Sequence, residues 1–324
     1  MEHEGFELSL VGDLDALEAV APEAVDLMAA AFVWELTPAR FVEIYTTDPR
    51  LVKGPHAVTA TDRVGRLAGF LGLARRPYCH NGEAVRTGHI WVFAVRQDSS
   101  RRGLGRALFK LAMDTYRSEG LDGVTLCTQT GLVAVELYRQ QGFKVHHRYG
   151  LWRAPPLSGD VMPTGLRPLD ADEVHTLAEV YNRNLEGCEG WSVHEGDVIE
   201  LRRVAGSITP DWYLTPDPPG ALEGYVCVAP APMRGITYAL EVVGPDEEWY
   251  VDALESLRAR PGAEHVALKH YNPLARDALA EAGYTWHDYQ SRECMMYEGE
   301  PLTPDPELVS GGPGLHTETR HDIF

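Results

Sequence analysis

The chain has 324 residues, of which 44% are hydrophobic and 24% charged, and this composition excludes a disordered, collagen-like or coiled-coil protein. At about 100–200 residues per domain, the length predicts two domains. The net charge of −19 lies in residues 155–324, which carry 11 basic and 30 acidic residues against 18 of each in residues 1–154. This acidity argues against nucleic acid or a membrane as a partner and favours a cationic one, although solubility alone also explains it.

The first half alternates between helical and strand-like patterns. A nearly continuous apolar run at 89–95 predicts a buried strand, and apolar residues at helical spacing follow Gly103. The predicted elements are helices at 13–32 and 37–47, a hairpin of strands at 55–61 and 66–75, the strand at 89–95, a helix from Leu104 to Gly120, a strand at 124–127, a helix at 132–140 and a strand at 143–152.

The second half repeats this order after a turn-rich boundary at 153–160. The predicted elements are a helix at 170–185, strands at 225–228 and 236–243, a helix at 247–260, a strand at 264–270, a helix at 273–282 and a strand at 285–297. The pairs Gly142-Phe143 and Gly283-Tyr284 lie 141 residues apart, which indicates two copies of one fold. We therefore predict an α/β protein with tandem domains at 1–154 and 163–300 and a flexible tail at 301–324.

A glycine- and arginine-rich loop follows the buried strand and opens the next helix. The segment 100–107 reads SRRGLGRA. A helix start leaves about four backbone N–H groups without partners and carries positive potential, and glycines let an anion approach the backbone closely. Because neither a Walker A loop nor a G-x-G-x-x-G fingerprint is present, the loop predicts a phosphate or pyrophosphate site of another kind.

The segment 95–108 resembles the acetyl-CoA motif of the Gcn5-related N-acetyltransferases, known as the GNAT superfamily. The segment 137–143, LYRQQGF, resembles the second motif of that family. The resemblance covers about residues 5–152 and implies, for each half, a mostly antiparallel mixed sheet flanked by helices. One departure is Ser100, which stands where the family usually has Gln or Arg.

The resemblance also implies roles for particular residues. The strand backbone at Phe93, Ala94 and Val95 would pair with the pantetheine arm of acetyl-CoA. The pyrophosphate would lie on the loop residues Arg101, Arg102, Gly103, Leu104, Gly105 and Arg106. Tyr138 occupies the position of the general acid that protonates the leaving thiolate, although a packed core tyrosine is an alternative. His89 stands at the position of the usual general base, and a half-buried strand histidine without a role is equally compatible with the sequence.

The second half resembles the same fold without its donor loop. After the strand at 236–243 comes the acidic segment 244–248, GPDEE, and Leu279 stands at the tyrosine position. We predict a degenerate domain that is not catalytic, because like charges oppose phosphate binding.

The predicted function is acetyl-CoA-dependent N-acetyl transfer to a primary amine of a small molecule or peptide, and the acidity of the second half favours a cationic acceptor. The alternative is a catalytically inert CoA-binding regulatory or scaffold protein of the same fold. The sequence predicts no metal site, since its five cysteines form no C-x-x-C pair, and it shows no secretory signal or apolar span. A cytoplasmic monomer or homodimer follows as the expectation.

Overall fold

A computed structural model of the protein describes most of both halves. The described residues are 2–32, 36–129, 133–157, 165–188, 191, 193–194, 212–216, 221–229, 236–260, 265–268 and 273–297. The predicted tail at 301–324 lies outside them. Of the described helices, none is both long and apolar enough to cross a bilayer.

The first half follows the predicted order and adds a short hairpin at its start. Its helices are α1 (Leu14–Phe32), α2 (Pro38–Thr47), α3 (Leu104–Ser118) and α4 (Val133–Gln140). Its strands are β1 (Glu2–His3), β2 (Phe6–Val11), β3 (Ala57–Asp62), β4 (Leu67–His80), β5 (Glu83–Val95), β6 (Gly123–Gln129) and β7 (Lys144–Ala154). The sequence analysis does not predict β1 and β2, although apolar residues at 6, 8 and 10 alternate with polar ones along β2.

The second half contains the predicted elements and two further strands. Its helices are α5 (Ala171–Val174), α6 (Leu177–Leu185), α7 (Glu247–Arg258) and α8 (Pro273–Glu281). Its strands are β8 (Leu166–Pro168), β9 (Tyr213–Pro216), β10 (Tyr225–Val228), β11 (Ile236–Val243), β12 (His265–Leu268) and β13 (Thr285–Tyr297). The helix predicted at 170–185 is divided, because the amide and hydroxyl of Thr176 both bond to the carbonyl of Glu173 and close a tighter turn.

The described strands form one continuous sheet in which the two halves exchange their last strands. The order is β1-β2-β3-β4-β5-β6-β13-β7-β12-β11-β10-β9-β8. Strand β13 of the second half lies between β6 and β7 of the first half and is antiparallel to both. Strand β7 in turn pairs with β12 of the second half. Each half thus completes its sheet with a strand from the other half.

Helices pack on both faces of this sheet, as the predicted α/β class requires. In the first half, one apolar cluster holds α3 and α4 against the strands, around Phe109 and Tyr116. The opposite face carries α1 and α2, around Phe41 and Tyr45. Two further clusters place α7 and α8 on the sheet and α5 and α6 against β9–β11 in the second half. Burying each large apolar side chain contributes about 1.5–3 kcal/mol, so these clusters fix the strands that form the site.

Candidate active site

A β-bulge in β5 lies at the centre of the candidate site. Two residues of β5, Trp91 and Val92, together face a single residue of β4, Gly72. Such a bulge bends its strand and increases the local twist. A β-carbon on Gly72 would lie 2.9 Å from the hydroxyl oxygen of Tyr45, so the absence of a side chain lets α2 approach the bulge.

Beyond the bulge, β5 and β6 separate and leave a gap between them. Their parallel pairing ends at Ile90 and Leu126, although β5 continues to Val95 and β6 to Gln129. The backbone of residues 93–95 remains paired with β4 on one side, and among the described strands it has no partner on the other. The segment predicted to pair with pantetheine therefore lies along the edge of this gap.

The glycine- and arginine-rich loop presents a row of unbonded backbone amides at the start of α3. Arg101 and Gly103 have positive φ angles of 61° and 72°, and Gly103 caps the helix without a side-chain hydrogen bond. The first amide to bond is that of Ala107, which donates to the Gly103 carbonyl over 3.1 Å. The amides of residues 101–106 make no hydrogen bond to any described residue. They form a concave donor array of the kind that binds phosphate groups.

The three arginines of the loop have different surroundings. The Arg102 guanidinium donates to the carbonyl of Glu4 over 2.8 Å, which ties the loop to the β1–β2 hairpin. The Arg106 guanidinium donates to the side-chain oxygen of Gln140 over 2.9 Å. Arg101 is exposed and forms no side-chain hydrogen bond or ion pair with the described residues. Arg101 is therefore the guanidinium that is most available to an anion on the loop.

Two further loop residues differ in what they leave for a ligand. A β-carbon on Gly105 would lie 3.3 Å from the ring carbon Cζ of Phe93, so glycine lets the start of α3 lie against β5. A larger side chain would fill the end of the gap. The hydroxyl of Ser100 donates to the carbonyl of Gln97 over 2.7 Å, so this group is already bonded within the loop.

Tyr138 lies on α4 and is held in an aromatic cluster beside the gap. Its ring centroid is 5.5 Å from that of Phe109, 6.5 Å from that of Phe93 and 6.3 Å from that of Phe143. Only 6% of the residue is exposed, and its hydroxyl makes no hydrogen bond within the described part of the chain. Burial raises the pKa of the phenol well above its usual value, so Tyr138 is protonated at neutral pH.

Comparison with protein families decides the identity of this region. The model of the acetyltransferase (GNAT) family matches residues 22–143. Residues 22–143 of this chain match the GNAT family and are called its GNAT domain below. The matched range contains the bulge, the gap, the amide-rich loop and Tyr138, and the resemblance inferred from two sequence motifs is confirmed.

Individual proteins resemble the chain in sequence or in fold. A mycothiol acetyltransferase of Rhodococcus opacus is 29% identical over 132 residues, which cover 39% of this chain and 43% of the relative. One of Beutenbergia cavernae is 41% identical over 69 residues, which cover 20% of this chain and 23% of the relative. The chain thus spans less than half the length of these relatives. A GCN5-related N-acetyltransferase from Anabaena variabilis superposes with a TM-score of 0.67 at 15% identity, covers 90% of this chain and 72% of that chain, and shows the shared fold.

His89 of the GNAT domain lies on the opposite sheet face from Tyr138. Its neighbour Ile90 belongs to the α3–α4 cluster, and successive strand residues point to opposite faces. The imidazole Nδ1 lies 2.9 Å from the hydroxyl oxygen of Thr125, and the residue is 3% exposed. The structure thus places His89 just before the gap opens, buried and hydrogen-bonded, and does not join it to Tyr138.

The second half also contains a β-bulge, but the start of its helix α7 is capped by a side chain. Leu240 is an extra residue of β11 opposite β10 and forms a bulge there, just as Trp91 and Val92 form a bulge opposite β4. At the start of α7, however, the Asp246 carboxylate accepts from the amide of Trp249 over 2.9 Å. The indole of Trp249 packs against Gly244. The amide at the same position in the first turn of α3 makes no such hydrogen bond.

Proposed function

We propose that this protein is an acetyl-CoA-dependent N-acetyltransferase whose donor site and catalytic groups lie in residues 1–154. The proposal is carried by the gap between β5 and β6 together with the unbonded amides of residues 101–106, since Gly105 of that loop lies close to Phe93 at the edge of the gap. The names of the mycothiol acetyltransferases favour a small-molecule amine acceptor over a protein.

The gap and the loop match the two polar parts of the donor. Amides of a pantetheine arm can pair with the strand backbone at Phe93, Ala94 and Val95, which would act as a partial strand in the gap. The amides of residues 101–106 and the Arg101 guanidinium match a pyrophosphate in charge and in hydrogen-bonding capacity. Gly105 lies so close to Phe93 that a β-carbon would contact the ring. The absence of a side chain at Gly105 leaves room for the donor between the strand and the loop.

Tyr138 is proposed to protonate the departing thiolate. Acetyl-CoA supplies the acetyl group as a thioester, and the amine attacks its carbonyl carbon directly. The Tyr138 hydroxyl has no partner within the described chain and is protonated at neutral pH. It can therefore donate a hydrogen bond and then its proton to sulfur. Apolar surroundings raise the pKa of the phenol and also the pKa of a thiol formed beside it. Burial alone therefore does not oppose proton transfer from the phenol to the thiolate.

His89 is proposed to remove a proton from the amine on the opposite side of the sheet. A neutral imidazole has one ring nitrogen that can accept a proton. With base and acid on opposite faces of the sheet, the amine would lose its proton on one face and the departing thiolate would gain a proton on the other. Because His89 is buried, the proton would pass through a water molecule or after a small movement of the strand.

The second half is proposed to bind no donor and to support the acceptor side. The capped start of α7 and the packing of Trp249 against Gly244 argue against a second CoA site. The acidic residues of this half would attract a cationic amine.

Calorimetric titration with acetyl-CoA tests the proposal. The wild type is expected to bind one acetyl-CoA per chain, and Gly105→Glu to abolish binding, because a carboxylate would occupy the anion site. Gly165→Glu is the matched control, since a β-carbon there meets nothing within 4 Å. One site with CoA release in the presence of amines supports the enzyme. One site without turnover supports the CoA-binding regulator, and no binding refutes both.

A further inference from the structure

Tyr45 on α2 is a buried tyrosine whose hydroxyl has no protein partner. The residue is 1% exposed, and its hydroxyl oxygen forms no hydrogen bond with any described residue. The ring itself is well packed: its centroid lies 5.0 Å from Phe41, 5.6 Å from His56 and 5.2 Å from Trp91. Phenylalanine would make the same ring contacts without burying an unsatisfied polar group, which is unfavourable for folding.

Tyr116 shows that the same sheet can satisfy a buried tyrosine. Tyr116 is also 1% exposed. It belongs to α3 and packs on the sheet face opposite to that of Tyr45. Its hydroxyl lies 2.8 Å from the carbonyl of His89 and 3.1 Å from that of Ala74. The contrast between the two tyrosines points to a partner for Tyr45 from outside the chain.

The position of Tyr45 relates it to the proposed reaction. Its hydroxyl oxygen lies 2.9 Å from the place of a β-carbon on Gly72, which faces the bulge at Trp91 and Val92. The donor loop and Tyr138 belong to the face that carries α3 and α4, and Tyr45 belongs to the other face. The proposed base His89 also points to this second face, so an amine that gives its proton to His89 approaches the thioester from there.

We propose that Tyr45 is an acceptor-binding residue, whose hydroxyl hydrogen-bonds to a polar group beside the reacting nitrogen. The inference rests on the proposed function and narrows it: the acceptor is an amine with a neighbouring hydroxyl or carbonyl group rather than a plain alkylamine. A site built to hydrogen-bond a substrate group rejects the analogue that lacks it, because its own polar group is then left buried and unpaired.

Binding must involve a shift of a neighbouring ring, because the hydroxyl is enclosed in this structure. Trp91 is the neighbour on the β5 side, packs edge-on against Tyr45 and is 8% exposed. Burial raises the pKa of Tyr45, so the group that meets the acceptor is a neutral phenol.

The test compares Tyr45→Phe with Tyr116→Phe as its matched control. The acceptor probes are 2-aminocyclohexanol and cyclohexylamine, which differ by one hydroxyl beside the nitrogen. Release of CoA is measured with saturating acetyl-CoA, and acetyl-CoA binding and the melting temperature are measured separately. The wild type is expected to prefer the amino alcohol by about tenfold in kcat/KM, as one hydrogen bond allows.

In Tyr45→Phe this preference is expected to vanish, with acetyl-CoA affinity within about twofold of wild type and a melting temperature that is equal or higher. Tyr116→Phe is expected to keep the preference and to melt lower. Equal preference in the wild type and Tyr45→Phe overturns the inference and leaves the proposed function standing. A wild type that binds acetyl-CoA and acetylates neither amine overturns the inference and counts against the proposed enzyme as well. A wild type that binds no acetyl-CoA removes the proposed function and this inference together.

Discussion

The indole of Trp249 fills the space beside Gly244 that a β-carbon on that residue would need. In the second half, the glycine after the central strand therefore serves the packing of its own helix. In the GNAT domain, by contrast, Gly103 and Gly105 leave space and unbonded amides at the start of α3. Glycine thus serves side-chain packing at the start of α7 and accompanies unbonded amides at the start of α3.

Gly244→Ala is expected to destabilise the protein by about 1–3 kcal/mol, because the added methyl group overlaps Trp249 and a packed interior tolerates overpacking poorly. Urea unfolding at neutral pH measures the effect. Gly165→Ala, which meets nothing within 4 Å, is the matched control and should change stability little. Equal stability of the two variants would contradict the close packing at Gly244.

Tyr138→Phe is expected to lower kcat by about 10²–10⁴-fold, the usual contribution of a general acid. Affinity for acetyl-CoA should not change, because the phenyl ring of the variant still packs against Phe109. The matched control is Tyr284→Phe in the second half, which removes a hydroxyl bonded to the carbonyl of Leu254 over 3.1 Å. That control should lose about 1 kcal/mol of stability and keep kcat. Wild-type kcat in Tyr138→Phe would refute the acid role.

Glu173 is expected to make part of the stability depend on pH. Hydrogen bonds from Arg167, at 2.6 and 2.7 Å, outweigh burial and lower the pKa of the Glu173 carboxyl, with a further bond from the amide of Asp170. Because the folded pKa is depressed, this stabilisation is present above the unfolded value, about 4.3, and is lost as the pH falls through the folded value.

The difference in unfolding free energy between the wild type and Glu173→Gln should therefore shrink as the pH is lowered from 7 to below about 4. Urea titrations at several pH values measure it. A difference that stays constant over this range would contradict the ion pair as its source.

Cys294→Pro is expected to disrupt the GNAT domain, although residue 294 lies outside the matched range 22–143. Residue 294 of β13 pairs with Cys127 of β6 and His147 of β7. Proline removes the backbone donor in a strand paired on both sides and costs about 3 kcal/mol or more. Acetyl-CoA binding and circular dichroism measure the loss, and Cys294→Val, which keeps the donor, should bind normally. Normal binding by Cys294→Pro would show that β13 is dispensable for the donor site.

The local features of the donor site follow from sequence patterns. The apolar run before Arg96 and the glycines at 103 and 105 predict a strand, a loop and a helix start, since each depends on neighbouring residues alone. The pairing of β13 with β6 could not be predicted, because β7 and β13 each have the pattern of a final strand for their own half. The role proposed for Tyr45 could not be predicted either, because in the sequence it is one more aromatic on the apolar side of α2, and only the structure shows its unbonded hydroxyl.

The strand exchange also determines when the sheet can be completed during synthesis of the chain. Residues 127 and 294 pair in the sheet but are 167 residues apart in the chain. At about 5–20 residues per second, a ribosome needs roughly 10–30 seconds to make the intervening segment. During that time the nascent GNAT domain has its loop and its bulge but exposes the edge of β6, to which another chain could add a strand. The sheet that carries the loop is therefore completed only after β13 has been made, although most of the strands around the loop are translated in the first half.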